Sequence, residues 1–379
     1  MNMTTENKKT IENKKTIVVS AVNIRKGGTL TILRDCLSCL SELSAGGGYR
    51  VVALVHRREL ALYEGIEYVE LPWTVKNWGL RLWCEYVTMR GISRDLGHVH
   101  LWLSLHDTTP RVEADRRCVY CQTSFPFYRW SLRDFVFDYK IVLFSLFTRY
   151  AYRTGVKRNR YLIVQQHWLR RNIGRICGLP AGRFVVAPPP RESARIAETP
   201  KREGIYTFLF ASTADVHKNF ELLCRASAMV ERMLGAGCFK VVVTVDGREN
   251  RYSRWLLRRW GGLESMEFVG FLSKERLEEH YRWADCLVFP SKVETWGLPI
   301  SEFMAYDKPM LLSDLPYAHE TAGGSSRTSF FDPRRAVDLA HQMLRLIEGD
   351  RSILRPVAPS VGDGNEVHSW NELFEFLMQ

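Results

Sequence analysis

The run TIVVSAVNI at residues 16–24, followed by RKGG at 25–28 and TLTILRDCLSCLSEL at 29–43, decides the fold class. Nearly continuous apolar residues over a short span read as a strand covered on both faces, and parallel sheets need such strands. The two glycines suit a tight turn, and the apolar residues that follow recur at helical spacing. Strand, glycine turn and helix in that order form the repeating unit of a doubly wound parallel sheet.

The same alternation continues outward from this unit. Further strands are predicted at 49–56, 66–73, 98–105, 118–122 and 161–165, with helices at 80–96 and 132–152. The stretch PPPRESARIAETPKREG at 188–204 is rich in proline, charge and small residues and lacks an apolar period, so residues 191–204 are expected to link two domains. Alternation then restarts, with strands at 206–211, 239–245, 266–271, 286–290, 309–313 and 327–331 and helices at 219–234, 251–260, 274–284, 298–305 and 334–348. The expected division is a disordered tail at 1–15, a first Rossmann-like domain at 16–190, a second at 205–362, and a terminal segment at 363–379. That segment's helix has no partner strand of its own and is expected to pack back toward the first domain.

Length agrees with two cores, because 379 residues exceed the roughly 250 at which a single core stops growing. The chain is 46% hydrophobic and 25% charged, which excludes wholesale disorder, collagen and coiled coil. No apolar run reaches the roughly 18 residues of a membrane span, and the polar start lacks a signal core, so a cytoplasmic location is expected. Nine cysteines in so long a chain fit free thiols in a reducing compartment. Residues 1–190 hold 29 Lys/Arg and 15 Asp/Glu, while residues 191–379 hold 24 and 27. The first half therefore suits an anionic surface or substrate.

Chemistry concentrates at residues 289–305, FPSKVETWGLPISEFMA. A strand ends near Pro290, Glu294 lies in the loop, and Gly297 precedes a helix with Pro299 in its first turn and Glu302 one turn in. A glycine-led helix start directs backbone N–H groups at an anion, and flanking carboxylates accept hydrogen bonds from hydroxyls. A sugar nucleotide carries both phosphates and hydroxyls.

These residues resemble the retaining glycosyltransferases of family 4, the GT-B type within glycosyl transferases group 1. The family's pair of glutamates separated by seven residues matches Glu294 and Glu302. Residues 211–219, ASTADVHKN, resemble the loop that carries a phosphate-binding lysine, here Lys218; Gly270 and Phe271 resemble the turn on the base side of the nucleotide. The resemblance implies two Rossmann-like domains facing across a cleft, an acceptor domain first and a nucleotide-sugar domain second. It implies that Glu294 holds the sugar hydroxyls, Glu302 the ribose hydroxyls and Lys218 the diphosphate, with backbone at Gly297 and Leu298 completing the anion site. Gly27 and Gly28 would approach the donor phosphates. Two departures stand out: Thr213 occupies a slot where many relatives have arginine, and Gln122 occupies one where many have histidine.

On the acceptor side, His106 and Asp107 lie at or beyond a predicted strand end and are the candidates to contact the acceptor, while Gln122 can still hydrogen-bond a sugar hydroxyl but cannot act as a base. The pairs Cys36/Cys39 and Cys118/Cys121 have zinc-like spacing, but one falls on a predicted helix and the other on a predicted strand, so buried thiols are expected and no metal. No Asp-x-Asp triplet occurs, as a metal-dependent GT-A enzyme would need. Basic residues from Arg149 to Arg195 beside an aromatic helix suit peripheral contact with the anionic inner face of a membrane; no recognition motif points to nucleic acid.

The expectation is a metal-independent, retaining sugar transferase that moves a sugar from a nucleotide donor to a glycan or lipid-linked glycan in cell-surface polysaccharide synthesis, lipopolysaccharide included. The alternatives are a non-catalytic protein that binds nucleotide sugar or glycan, and a nucleotide-sugar epimerase. A dinucleotide oxidoreductase is disfavoured, since G-x-G-x-x-G does not follow the first strand and His56-Arg57 stands where an acid would be needed.

Overall fold

The computed structural model describes residues 14–190, 204–360, 362 and 364–379. The expected tail falls almost wholly outside these residues, as does nearly all of the expected linker. Chain order begins β1 (Lys15–Ala21), α1 (Gly28–Ala45), β2 (Tyr49–Val55), β3 (Ile66–Glu70) and α2 (Trp78–Trp83). A π-helical turn (Cys84–Thr88) leads to α3 (Met89–Asp95), β4 (Val99–Ser104) and β5 (Arg116–Tyr120). Next are α4 (Leu132–Phe137), α5 (Tyr139–Arg153), β6 (Tyr161–Val164), α6 (His167–Cys177) and β7 (Phe184–Val186).

The second series is β8 (Tyr206–Phe210), α7 (Phe220–Leu234), β9 (Phe239–Val243), α8 (Arg251–Trp260), β10 (Met266–Phe268), α9 (Lys274–Trp283) and β11 (Cys286–Phe289). It continues with α10 (Leu298–Met304), β12 (Met310–Ser313), α11 (Pro316–Thr321), β13 (Thr328–Phe331) and α12 (Ala336–Ile347). The chain ends with β14 (Asn365–Glu366) and α13 (Trp370–Met378).

The chain divides into two compact units. One comprises Met1–Thr123, Thr148–Pro190 and Gly362–Gln379; the other comprises Ser124–Phe147 and Arg191–Val361. The segment Ser124–Phe147, expected within 16–190, thus groups with the second unit, and the division falls inside α5.

In the first unit, eight strands form a parallel sheet ordered β14-β7-β6-β5-β4-β1-β2-β3. Strand order reverses between β1 and β4, where doubly wound sheets open a crevice at their carboxyl ends. One face of the sheet packs on α1 through Leu33, Cys36, Leu37 and Leu40. The terminal helix α13 joins that core with Leu373, Phe374 and Leu377, and Trp370 stacks on Tyr120 at 5.8 Å. Cys39 donates from Sγ to Asn371 Oδ1 at 3.0 Å.

In the second unit, six parallel strands are ordered β10-β9-β8-β11-β12-β13 and reverse between β8 and β11. The interior is aromatic: Phe210 packs on Phe220 and Phe289, and Phe208 on Phe239.

Two sequence expectations change for clear reasons. The helix expected at 132–152 breaks at Asp138, whose backbone leaves the helical region while its carboxylate caps Ile141 N–H at 3.1 Å. Strand β7 and helix α6 were not anticipated: β7 has only three residues, and α6 carries arginines and polar residues that dilute its apolar stripe.

Candidate functional site

In the second unit the site residues arise from the loops that leave β8 and β11, the two strands flanking the reversal in strand order. The β8 loop closes with a 3-10 turn (Val216–Lys218) and then Asn219, a non-glycine residue at φ 63. Asparagine tolerates this left-handed conformation better than most residues. Its amide here donates to Pro290 O at 3.0 Å and Pro333 O at 2.9 Å. A backbone bond from Lys292 N to His217 O, at 2.8 Å, ties the two loops together.

That clamp brings two predicted residues into contact. Lys218 Nζ donates to Glu294 Oε1 at 2.6 Å, with side chains 15% and 12% exposed. The pair is therefore largely shielded from screening but still reachable. An ammonium has three N–H donors, so it can hold an incoming anion while keeping its carboxylate partner.

Gly297 caps α10 at φ 90, and a β-carbon there would stand 3.2 Å from Ile300 Cδ1. Leu298 begins the helix and is 39% exposed. Trp296 anchors the loop by donating from its indole to Ser301 Oγ at 3.1 Å. Glu302 accepts from Tyr281 OH at 2.8 Å, so α9 orients it. Thr213 is exposed and donates to Asp215 Oδ2 at 2.6 Å.

Gly270 sits at φ 74 and would bring a β-carbon within 2.9 Å of Asp246 Oδ2; Phe271 beyond it is 86% exposed. Gly270→Ala combines backbone strain with this clash and is expected to cost about 1–2 kcal/mol, checked by urea unfolding. A wild-type midpoint would refute the tight approach.

In the first unit, Gly27 adopts φ 69 and Gly28 opens α1 at the carboxyl end of β1. His106 differs from the expectation that it contacts an acceptor: it is 1% exposed. Its ring bonds Ser20 Oγ at 3.0 Å and Thr108 Oγ1 at 2.8 Å and lies 3.4 Å from Glu85 Oε1. Glu85, in the π-helical turn, is itself fully buried and pairs with Arg81 at 2.9 Å. Burial lowers the His106 pKa to about 4 despite the neighbouring carboxylate.

Asp107, at φ 66, also turns inward. Its Oδ1 accepts from Gln122 N at 2.5 Å, Thr123 N at 2.9 Å and Tyr152 OH at 3.0 Å. Part of the residue remains at the surface, but the carboxyl is enclosed, and desolvation raises its pKa to about 6 against these hydrogen bonds. Asp107 thus anchors the loop after β5. Gln122 Nε2 donates to Leu105 O at 2.8 Å, while its buried Oε1 has no hydrogen-bond partner among the described residues.

The opposite shifts of these neighbours make a sharp prediction. Between about pH 4 and 6.5 the unfolded chain binds more protons than buried His106, so this residue makes stability rise with pH. Between about pH 3.8 and 6 the folded chain holds the proton on Asp107 that the unfolded chain releases, so stability falls with pH. The two slopes offset in the wild type. Urea midpoints should rise with pH across this window in Asp107→Asn and fall in His106→Gln; parallel curves for all three proteins would overturn the assignment.

Cys36, Cys39, Cys118 and Cys121 are buried free thiols. Among the described residues no group of three or more His, Cys, Asp or Glu side chains could hold a metal ion, and no helix is long and apolar enough to cross a membrane.

Sequence signals missed Tyr281 and Asn219, and also Lys292 with its partners. Lys292 Nζ lies 2.8 Å from Asp134 Oδ1 and 3.2 Å from Glu221 Oε1, and Tyr252 OH donates to the other oxygen of Glu221. This buried cluster joins α4 to the loop carrying Glu294. Only the position of Lys292, two residues before Glu294, could have hinted at it.

With that geometry in place, comparisons place the architecture. The lipopolysaccharide outer core galactosyltransferase WaaB superposes with a TM-score of 0.61 at 14% identity, over 89% of this chain and 91% of that one. The fold is GT-B. HepE of Anabaena, in complex with UDP-glucose, superposes with a TM-score of 0.60 at 12% identity, over 89% and 91% of the two chains. Residues 192–356 match the family described as glycosyl transferases group 1, a span that contains Lys218, Glu294 and Glu302. The O-antigen chain mannosyltransferase RfbU of Salmonella typhimurium is 24% identical over 179 residues, 46% of this chain and 48% of RfbU. The match thus spans about half the length of that curated relative.

Proposed function

We propose that this GT-B protein is a retaining, metal-independent glycosyltransferase. It takes a sugar from a nucleotide donor and adds it to a glycan or lipid-linked glycan in cell-surface polysaccharide or lipopolysaccharide synthesis. The observation that carries this reading is the Lys218–Glu294 pair, 2.6 Å apart at the strand reversal of the unit that matches glycosyl transferases group 1. RfbU, WaaB and HepE support the substrate classes by their names alone.

In this reading Lys218 binds the diphosphate and gains most in the transition state, when negative charge builds on the departing nucleotide. Glu294 orients sugar hydroxyls and holds the ammonium in place. Glu302, fixed by Tyr281, accepts from the ribose; Gly270 and Phe271 border the base; Thr213, Gly297 and Leu298 line the phosphates. Gln122 keeps an amide oxygen without a hydrogen-bond partner among the described residues, which a sugar hydroxyl reaches only if the side chain turns outward. His106 and Asp107 support the fold beneath that side rather than touching substrate.

A cytoplasmic, peripheral position at the inner membrane face completes the reading. Helix α5 exposes Tyr139, Leu143, Leu146, Phe147 and Tyr150 at helical spacing. The acids near it are engaged inside, Asp134 with Lys292 and Asp138 in its cap, while Lys140, Arg149 and Arg153 remain exposed. Nucleic acid has no part in this reading.

A panel of UDP- and GDP-sugars, incubated with and without membrane lipid extract, tests the proposal. Nucleotide release that depends on the extract, with the anomeric configuration kept in the product by NMR, is expected. Binding without turnover would favour the non-catalytic reading, for which Thr213 spent on Asp215 is the specific observation. Donor conversion without any acceptor would favour an epimerase.

A further inference from the structure

The second unit has a pocket of about 360 Å³ between α7 and α8 that contains neither Lys218 nor Glu294. Arg225 and Arg232 reach it from α7, Trp255, Arg259 and Trp260 from α8, and Arg133 from α4. At 1.5 Å rise per residue, these α7 positions lie roughly 8–18 Å along the helix from the turn that carries Lys218. The pocket is therefore on the helical flank of the unit, separate from the donor loops.

Its chemistry is one-sided. All four arginines are exposed, and none forms an ion pair among the described residues. Four arginines line one hollow and repel each other unless an anion joins them, although Arg232 Nε also donates to Ala228 O at 3.2 Å. Arg133 lies over the Trp255 ring at 5.7 Å, and the two indoles give the pocket an apolar wall. A single carboxylate, with two oxygens in one plane, would use only one or two forks, whereas the tetrahedral oxygens of a phosphate, a phosphodiester included, can face forks from several sides.

We propose that this pocket binds a phosphate group, supplied by the headgroup of an anionic phospholipid. The lipid source follows from α4: beside Arg133, Leu132 is 80% exposed and Val136 56% exposed, so apolar side chains flank the cationic hollow. Free inorganic phosphate or pyrophosphate shares the headgroup chemistry and is the other source. The inference extends the membrane part of the proposed function but does not depend on sugar transfer.

The test compares full-length wild type, Arg225→Gln/Arg259→Gln, and a charge-matched control, Arg258→Gln/Arg276→Gln, which removes two exposed arginines outside the pocket. One arm measures co-sedimentation with phosphatidylcholine vesicles with and without about one quarter phosphatidylglycerol; the other titrates pyrophosphate by calorimetry. Both arms include Lys218→Ala, so that the donor loop is counted separately. The expected result is binding to the phosphatidylglycerol vesicles that falls about tenfold in the pocket variant and less than about threefold in the control. Loss of pyrophosphate binding in the pocket variant without vesicle binding by the wild type would keep the phosphate site and assign it a soluble ligand. Equal losses in pocket and control variants, loss confined to Lys218→Ala, or no binding of either probe by the wild type would overturn it. Unchanged donor turnover in the pocket variant would separate this outcome from failure of the transferase reading.

Discussion

Lys218→Ala should lower kcat by about 10²–10³ while changing donor KM far less. The Lys218 side chain is 15% exposed and its ammonium is fixed by Glu294 at 2.6 Å, so in the proposed reading it meets the leaving diphosphate already oriented and partly shielded from water. Preorganised charge in such a place acts most strongly where charge develops, in the transition state rather than in the bound donor. Alanine removes that charge and leaves the Glu294 carboxylate without its cation, facing the same phosphates. Glu294→Gln tests the other half: it keeps a hydrogen-bonding side chain and the ammonium, so its kcat should fall less than that of Lys218→Ala. Steady-state donor turnover measures both. Wild-type kcat in Lys218→Ala would sink the assigned role. An inactive wild type that still binds donor would sink the transferase reading instead.

The sequence exposed the sheets more clearly than the sites. Strands β1, β2, β8 and β11 are runs of apolar residues, because a parallel strand is covered on both faces and tolerates little polarity. Short elements escaped: the edge strand β14 has two residues and its neighbour β7 three, too few to display a period. Glu294 and Glu302 could be singled out from a strand end, a glycine and a proline in the first helical turn, whereas Lys218 was singled out only by the resemblance of its loop to that of group 1 glycosyltransferases. Their supports were not. Tyr281 and Asn219 lie on neighbouring elements, and no local spacing announces a tyrosine that will meet a glutamate 21 residues on.

His106 shows the converse limit. A histidine just after a strand could face ligand or core, and the choice rests on Glu85, Ser20 and Thr108, two of them far away in sequence. Only a third dimension distinguishes the two outcomes. Asp107 is similar, since its positive φ swings the carboxylate back onto the Gln122 and Thr123 amides.

Lys292→Met should be the most destabilising single change in the second unit, costing about 3–5 kcal/mol. Its side chain is 17% exposed, and the ammonium lies between the side chains of Asp134, 2% exposed, and Glu221, 7% exposed. Methionine keeps similar bulk and still buries its stem, so packing is not the main loss. What remains is two shielded carboxylates with no cation, and an uncompensated buried charge costs far more than a surface pair contributes. Asp134 sits 158 residues earlier in the chain, so the same change also releases α4 from the loop that carries Glu294. Urea unfolding followed by tryptophan fluorescence measures the loss, with Asp134→Asn/Lys292→Met as the comparison. The double variant should recover part of the stability because it removes one of the stranded charges. If instead Lys292→Met unfolds at the wild-type midpoint, the cluster does not hold α4 to this unit, and the account of how Glu294 is positioned fails with it.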